Sequence, residues 1–348
     1  MKDKSASSAD RFCLSSKKIK IMEVCGTHTA AISKYGLREY FSGIELISGP
    51  GCPVCVTPSN RLEQCIMLAR AENTIIATFG DMLRVPSVTS TLEKEMSNGA
   101  DIRVIYSIYD SLKIAENNPG KKIVFLGAGF ETTAPLAAAM VEEACRRNIK
   151  NYFLFSMFKS VFPALKTLTD SKDFKISGFI LPGNVAAVTG YGQFRFLWSK
   201  YGISCAVTGF GREDIISSVK NLSEAHMDKK TCFYTGYKSV VSEDGNIKAR
   251  HALDKVFELK DDNWRGLGKI KKSGFRLRGK YSAFDAEKHF VLPDIKEKKD
   301  LCRCGDIMKG KIIPFGCALF AKKCTPENPA GPCMVSSEGV CSAYYKYG

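Results

Sequence analysis

Short apolar runs recur from Ile19 to about Thr208, and amphipathic segments separate several of them. The runs are IKIMEV (19–24), IELIS (44–48), NTIIATF (73–79), DIRVIYS (101–107), KKIVFLG (121–127), NYFLFSMF (151–158), KISGFIL (175–181) and ISCAVTG (203–209). Most of them close on a glycine-containing turn. Continuous apolar strands alternating with helices predict parallel sheet covered on both faces. About eight strands could close one barrel or form two four-stranded sheets. The polar stretch ENNPGKK (116–122) interrupts the series, which favours two sheets. The expected architecture is α/β: two small parallel-sheet α/β domains over 16–115 and 116–225, then a loop-rich domain over 226–348. The lead, residues 1–15, is polar and is expected to be disordered.

Past residue 225 the rhythm fails. TCFYTGYKSVVSEDGNIKARHAL predicts an irregular or hairpin segment turning at Asp244-Gly245-Asn246. KVFELKDDNWRGLGKIKKSGFRLRGKYSAFD is rich in glycine and basic residues, with few periodic apolar positions. A core this thin calls for a staple, and a metal cluster would serve.

Cysteine changes the picture most. The chain of 348 residues carries 14 cysteines and opens on no apolar export signal. A cytoplasmic location is therefore expected, where such thiols are more often metal ligands or redox groups than structural disulfides. Cys302, Cys304, Cys317, Cys324, Cys333 and Cys341 crowd the tail among prolines and glycines, with no histidine between them. Widely spaced thiolates in turn-rich sequence suit an iron–sulfur cluster, whereas zinc sites usually take cysteines in close pairs. Cys302, Cys317, Cys324 and Cys341 make the expected set, with Cys304 as the alternative to Cys302.

The other chemistry sits at strand ends, where ligand sites of α/β sheets collect. IMEVCGTHT ends a strand on Cys25, with Thr27 and His28 in the following turn. A thiol held there as thiolate is a nucleophile or a metal ligand. GPGCPVC places Cys52 and Cys55 in a stiff turn facing the same crevice, as a dithiol redox pair or a shared metal site. FGDMLRVP puts Asp81 just past a turn glycine, able to orient an imidazole or to cap the next helix. GAGFETTAP adds Glu131 to a glycine-rich turn that opens a helix, a place where anions also bind. Glu213 and Asp214 open a helix in TGFGREDI, where a structural role suffices. The formal net charge of +15 is spread along the chain. With no zinc-finger or RNP-type motif beside it, the charge points to a solvated basic surface or an acidic partner rather than nucleic acid. No apolar run is long enough to span a bilayer.

MEVCGTHT, GPGCPVC, FGDMLRVP, GFETTAP, NWRGLG with a following SG, and CGDIMKG…CTPENPAGPCMVSSEGVCSAYYKY together resemble the HypD family of hydrogenase maturation factors. The resemblance runs from about residue 20 to the C-terminus. It implies two α/β domains with a cluster domain, and a scaffold that assembles the Fe(CN)2CO group of NiFe hydrogenases. The expected partners are a small HypC-type chaperone and a HypE-type cyanide donor. It further implies that Cys25 binds iron and that Cys52 and Cys55 handle electrons. The tail cysteines would hold a 4Fe-4S cluster, and Thr27, His28, Asp81 and Glu131 would line the cleft. Asn184 stands where the resemblance leads one to expect histidine. On this reading the chain is a maturation scaffold with redox activity rather than a small-molecule enzyme. A reading in another class is an iron–sulfur thiol–disulfide oxidoreductase that acts on a partner protein.

Overall fold

The computed structural model describes residues 19–297 and 301–348. The lead expected to be disordered lies outside the described residues. All eight expected strands form: β1 (Ile19–Glu23), β2 (Ile44–Ser48), β3 (Thr74–Thr78), β4 (Ile102–Val104), β5 (Lys122–Gly127), β6 (Tyr152–Ser156), β7 (Gly178–Leu181) and β8 (Ser204–Val207). β3, β6, β7 and β8 are buried at every position, as sheet covered on both faces requires. Every pairing among these eight strands is parallel. The fold is α/β.

The strands divide between two sheets, though not at residue 116. One sheet has the order β4-β3-β5-β6, all from the middle of the chain. The other has the order β2-β1-β7-β8 with a fifth strand, β9 (Phe233–Thr235), at its edge, and joins the start of the chain to its later part. The ENNPGKK stretch is only the turn between the helix Ile108–Asn117 and β5, inside one sheet. Its polarity marks an exposed loop, and loop polarity carries no record of which strands pair.

The region past residue 225 is more ordered than its composition suggests. Phe233–Thr235 forms β9 and pairs with β8 at the sheet edge. Asn246 caps the helix Ile247–Val256, its side chain accepting from the Ala249 N–H at 3.0 Å. β10 (Phe257–Trp264) and β11 (Gly268–Leu277) pair as an antiparallel hairpin. In β10 only the end residues Phe257 and Trp264 are buried, and Leu259, Asp261 and Asn263 are exposed. Low apolar content hid a strand whose period is two.

This hairpin packs on the four-stranded sheet through Lys159. The Lys159 ammonium is buried, 2.5 Å from Asp262 and 2.8 Å from the Asn263 carbonyl. Next along the hairpin, the Arg265 N–H donates to the Val56 carbonyl at 2.8 Å, beside the CPVC turn. Among the described residues, no helix is long and apolar enough to cross a membrane.

Candidate functional site

β1 ends at Glu23, and the helix Gly26–Lys34 begins three residues later with Cys25 as its N-cap residue. Cys25 keeps extended backbone angles, so the strand runs straight into the cap. The buried Glu23 carboxylate ties this corner together. It accepts from the Cys25 N–H at 2.9 Å and from the Thr29 hydroxyl. Two further segments close on the corner. The Gly26 N–H donates to the Gly51 carbonyl at 3.0 Å. The Thr27 hydroxyl donates to Glu338 of the tail at 2.8 Å.

Both contacts depend on glycine. A Cβ on Gly51 would sit 2.3 Å from the Cys25 nitrogen, and a Cβ on Gly26 would sit 2.3 Å from the Glu338 Cβ. The CGTHT turn, the GPGCPVC turn and the tail thus meet backbone against backbone.

The thiol itself is buried. Burial pushes Cys25 up to about 12, against the backbone N–H groups of His28 and Thr27, while Glu338 and Glu23 push it further up. This corrects the expectation of a standing thiolate: near neutral pH Cys25 is a protonated thiol, and a metal must displace its proton. Burial likewise holds His28 down, to about 4. Its Nε2 lies 3.0 Å from the Gly209 carbonyl, which assigns the proton to that nitrogen. Nδ1 is then an unprotonated acceptor, buried without a partner among the described residues.

Cys52 and Cys55 are joined as a disulfide, and both are buried. The Cys52 sulfur lies 3.5 Å from the Ser336 hydroxyl, two residues before Glu338. The same tail segment therefore touches both the Cys25 corner and the disulfide.

Asp81 sits at the rim of this junction. Surrounding protein raises its carboxyl, and Asp81 in turn raises that of Glu338, whose first cause is burial. None of its hydrogen bonds reaches His28. Asp214 takes the structural role expected of it, accepting from the Gly211 N–H at 3.3 Å at a helix start.

Glu131 lies elsewhere. Its buried carboxylate accepts from the Val161 N–H at 3.1 Å, at the start of the helix Val161–Thr169. It lines a cavity of about 470 Å3 that none of Cys25, His28, Cys52 or Cys55 lines. Burial drives Glu131 up to about 7, opposed by hydrogen bonds from Ser160 and Val161. A carboxyl raised in the folded state binds its proton more tightly there than in the unfolded chain. Stability is therefore lost as pH rises from the unfolded value of 4.5 through about 7. Glu131→Gln keeps an acceptor for Val161 and removes this penalty. The variant should be more stable than the wild type by on the order of 2 kcal/mol at pH 8 and equal to it at pH 4. Urea denaturation at the two pH values measures this.

In the tail, none of Cys302, Cys304, Cys317, Cys324, Cys333 and Cys341 is joined in a disulfide. Burial raises Cys341 well above its ordinary range, and the thiols of Cys302, Cys324, Cys304 and Cys317 add to the rise. Burial also raises Cys324, with Cys302 and Cys317 contributing. These thiols are therefore neighbours. Cys304 belongs to the same group: it hydrogen-bonds with Cys302 and with Cys333, and its sulfur lies 3.4 Å from the Arg265 guanidinium. Among the described residues, no three histidine, cysteine or acidic side chains close around a single metal ion. A cubane cluster makes a different demand: each thiolate binds its own iron, so the four sulfurs need only border a shared space. Soft, neighbouring thiols fit that demand, with Cys317, Cys324 and Cys341 buried and Cys302 half-buried.

Asn184 is exposed in the first turn of the helix Gly183–Thr189, directly after β7. Glu338 is the residue that the sequence left unmarked. Its signal was an acidic residue inside SSEG, one turn before Cys341, in a motif noticed only for its cysteines.

Known proteins resemble this chain over nearly its whole length. The HypD family model, described as the hydrogenase formation hypA family, matches residues 2–348. The hydrogenase maturation factor HypD of Rhodobacter capsulatus is 41% identical over 339 residues, covering 95% of this chain and 90% of the relative. HypD of Escherichia coli (strain K12) is 40% identical over 332 residues, covering 94% and 89%. HypD of Cupriavidus necator is 38% identical over 346 residues, covering 95% and 90%. With these matches spanning the Cys25 corner, the CPVC turn and the cysteine tail alike, the chain belongs to the HypD family of hydrogenase maturation factors.

Proposed function

We propose that the chain holds iron at Cys25 while the Fe(CN)2CO group of a NiFe hydrogenase is assembled on it. The reading rests on one observation: the Cys25 corner is where the CPVC turn and the Glu338 segment of the tail both make backbone contact. Iron is the cargo. Sulfur is a soft donor suited to iron that will carry cyanide and carbon monoxide. Binding replaces the Cys25 proton with the metal. Glu338, with a raised carboxyl and an influence on Cys25, is a neighbouring group able to take that proton, and Asp81 lies beyond it. Glu23 fixes the cap, and Thr27 holds Glu338 in place. His28, neutral with Nδ1 free, adds an acceptor to the same turn.

Opening the Cys52–Cys55 disulfide takes two electrons and two protons and yields two thiols. Cys302, Cys317, Cys324 and Cys341 would hold a 4Fe-4S cluster, which supplies electrons when bound. Cys304 stands as the alternative to Cys302: the two hydrogen-bond to each other, Cys302 acts on Cys324, and both act on Cys341. The partners are a HypC-type chaperone, sharing the iron through a thiolate of its own, and a HypE-type cyanide donor. The basic surface suits acidic partner faces.

Cys25→Ala in the purified complex should fold normally and lose the iron cyanide and carbonyl infrared bands. Bands that survive would refute the assignment. The disulfide in the CPVC turn keeps a second reading in view, a thiol–disulfide oxidoreductase acting on a partner. That reading requires turnover of a partner disulfide by the Cys25→Ala variant, with no iron bound.

A further inference from the structure

The cavity beside Glu131 has no part in the iron reading, yet its walls are those of a ligand site. Its volume of about 470 Å3 falls in the range of small-molecule pockets. The floor is polar: Glu131 and Ser160, both buried. The sides are aromatic, from Phe162, Phe257 and Phe275. Phe257 and Phe275 meet edge to face at 5.9 Å, a geometry that leaves a ring face and a ring edge for a further flat group.

The rim is cationic. Arg250 donates to the Asp244 carbonyl at 2.9 Å, which holds the guanidinium in place without neutralising it. Arg278 donates to the Asp254 carbonyl at 2.8 Å and lies 3.8 Å from Glu258. The Lys272 ammonium pairs with no carboxylate among the described residues. Its backbone, at a φ of 49°, is pinned by an N–H bond to Asp261 of 3.1 Å. Asp254, Glu258 and Glu131 also line the cavity, so three cations face three acidic groups, and the balance turns positive only where Glu131, raised to about 7, holds its proton.

We infer that this cavity binds a small organic anion with a flat apolar body. The body lies between the phenylalanines, the anionic group meets Lys272 and Arg250, and a polar head reaches Glu131 and Ser160. With Glu131 near 7, the floor can donate as well as accept close to neutral pH. The cavity shares no lining residue with the Cys25 corner or the CPVC turn, so the inference stands or falls independently of the iron assignment.

The probe is anilinonaphthalenesulfonate, an aromatic anion, titrated into the full chain by fluorescence and calorimetry. One saturable site is expected. Lys272→Glu should weaken it by about tenfold. Leu253→Trp, which grows a cavity-lining side chain into the space, should abolish it. Should that variant fail to fold, Arg250→Glu gives the same readout from the rim. Cys25→Ala should bind the probe as the wild type does. Absence of a saturable site, or wild-type affinity in the rim variants, would overturn the proposal.

Discussion

Gly51→Ala should disable the site while leaving the sheets standing. The new methyl carbon would fall 2.3 Å from the Cys25 nitrogen and 2.6 Å from its Cα. Both are backbone atoms at the N-cap of a helix, anchored by Glu23 on one side and by the hydrogen bond of Gly26 to Gly51 on the other. Neither can yield as the end of a flexible side chain would. The GPGCPVC turn must therefore lift away from the CGTHT turn. Overpacking of this kind costs typically about 1–3 kcal/mol. The larger effect is on geometry, because Cys52 and Cys55 ride on the lifted turn. Iron retention and the cyanide and carbonyl bands should fall together, while far-ultraviolet circular dichroism stays unchanged. Gly120→Ala is the control: a Cβ there meets nothing within 4 Å, so stability should shift by less than about 0.5 kcal/mol. Equal behaviour of the two variants would mean that the close approach at Gly51 does not govern the site.

The second large effect is at the base of the hairpin. Asp262→Ala leaves the buried Lys159 ammonium with only the Asn263 carbonyl. Removing one partner of a buried pair costs about 3–5 kcal/mol. The pH dependence has a definite sign. Burial already pulls Lys159 down to about 8, with Asp262 holding it up. Without Asp262 it falls further, so the deficit against the wild type should shrink as pH rises past 8 and the lysine sheds its charge. Chemical denaturation at pH 7 and pH 9.5 measures both the size and the trend. A deficit that grows with pH would contradict this account. Replacing both partners, Lys159→Met with Asp262→Leu, should recover most of the loss, since a buried pair is often no more stabilising than packed apolar groups. The site should feel the single change as well, because the hairpin carries Arg265, which binds the Val56 carbonyl and reaches the Cys304 sulfur.

The eight strands were legible in the sequence because a buried parallel strand must be apolar over its whole length, and that is a local property. The placement of Cys25, Cys52 and Cys55 at strand ends was legible for the same reason. β10 was missed because only its end residues, Phe257 and Trp264, are buried, too few to show in composition. The division at residue 116 differed from the observed sheets because parallel pairing is long-range. β1 lies beside β7, more than 150 residues away in sequence, and nothing in either run names its neighbour.

What the chain's order of residues determined by itself was the set of secondary elements and the chemical types at their ends: thiols after β1 and β2, acids after β3 and β5, and six cysteines in the tail. Only the tertiary structure decided which of these meet. It brought Glu338 to Thr27 across 311 positions and moved Glu131 into a cavity of its own. It also decided charge. The turn sequence around Cys25 suggested a thiolate, but burial outweighs the two backbone N–H groups that favour one, and burial is a property of the packed molecule. Local pattern fixes what each segment offers. Desolvation and contact, which arise only when the segments close on one another, decide what it becomes.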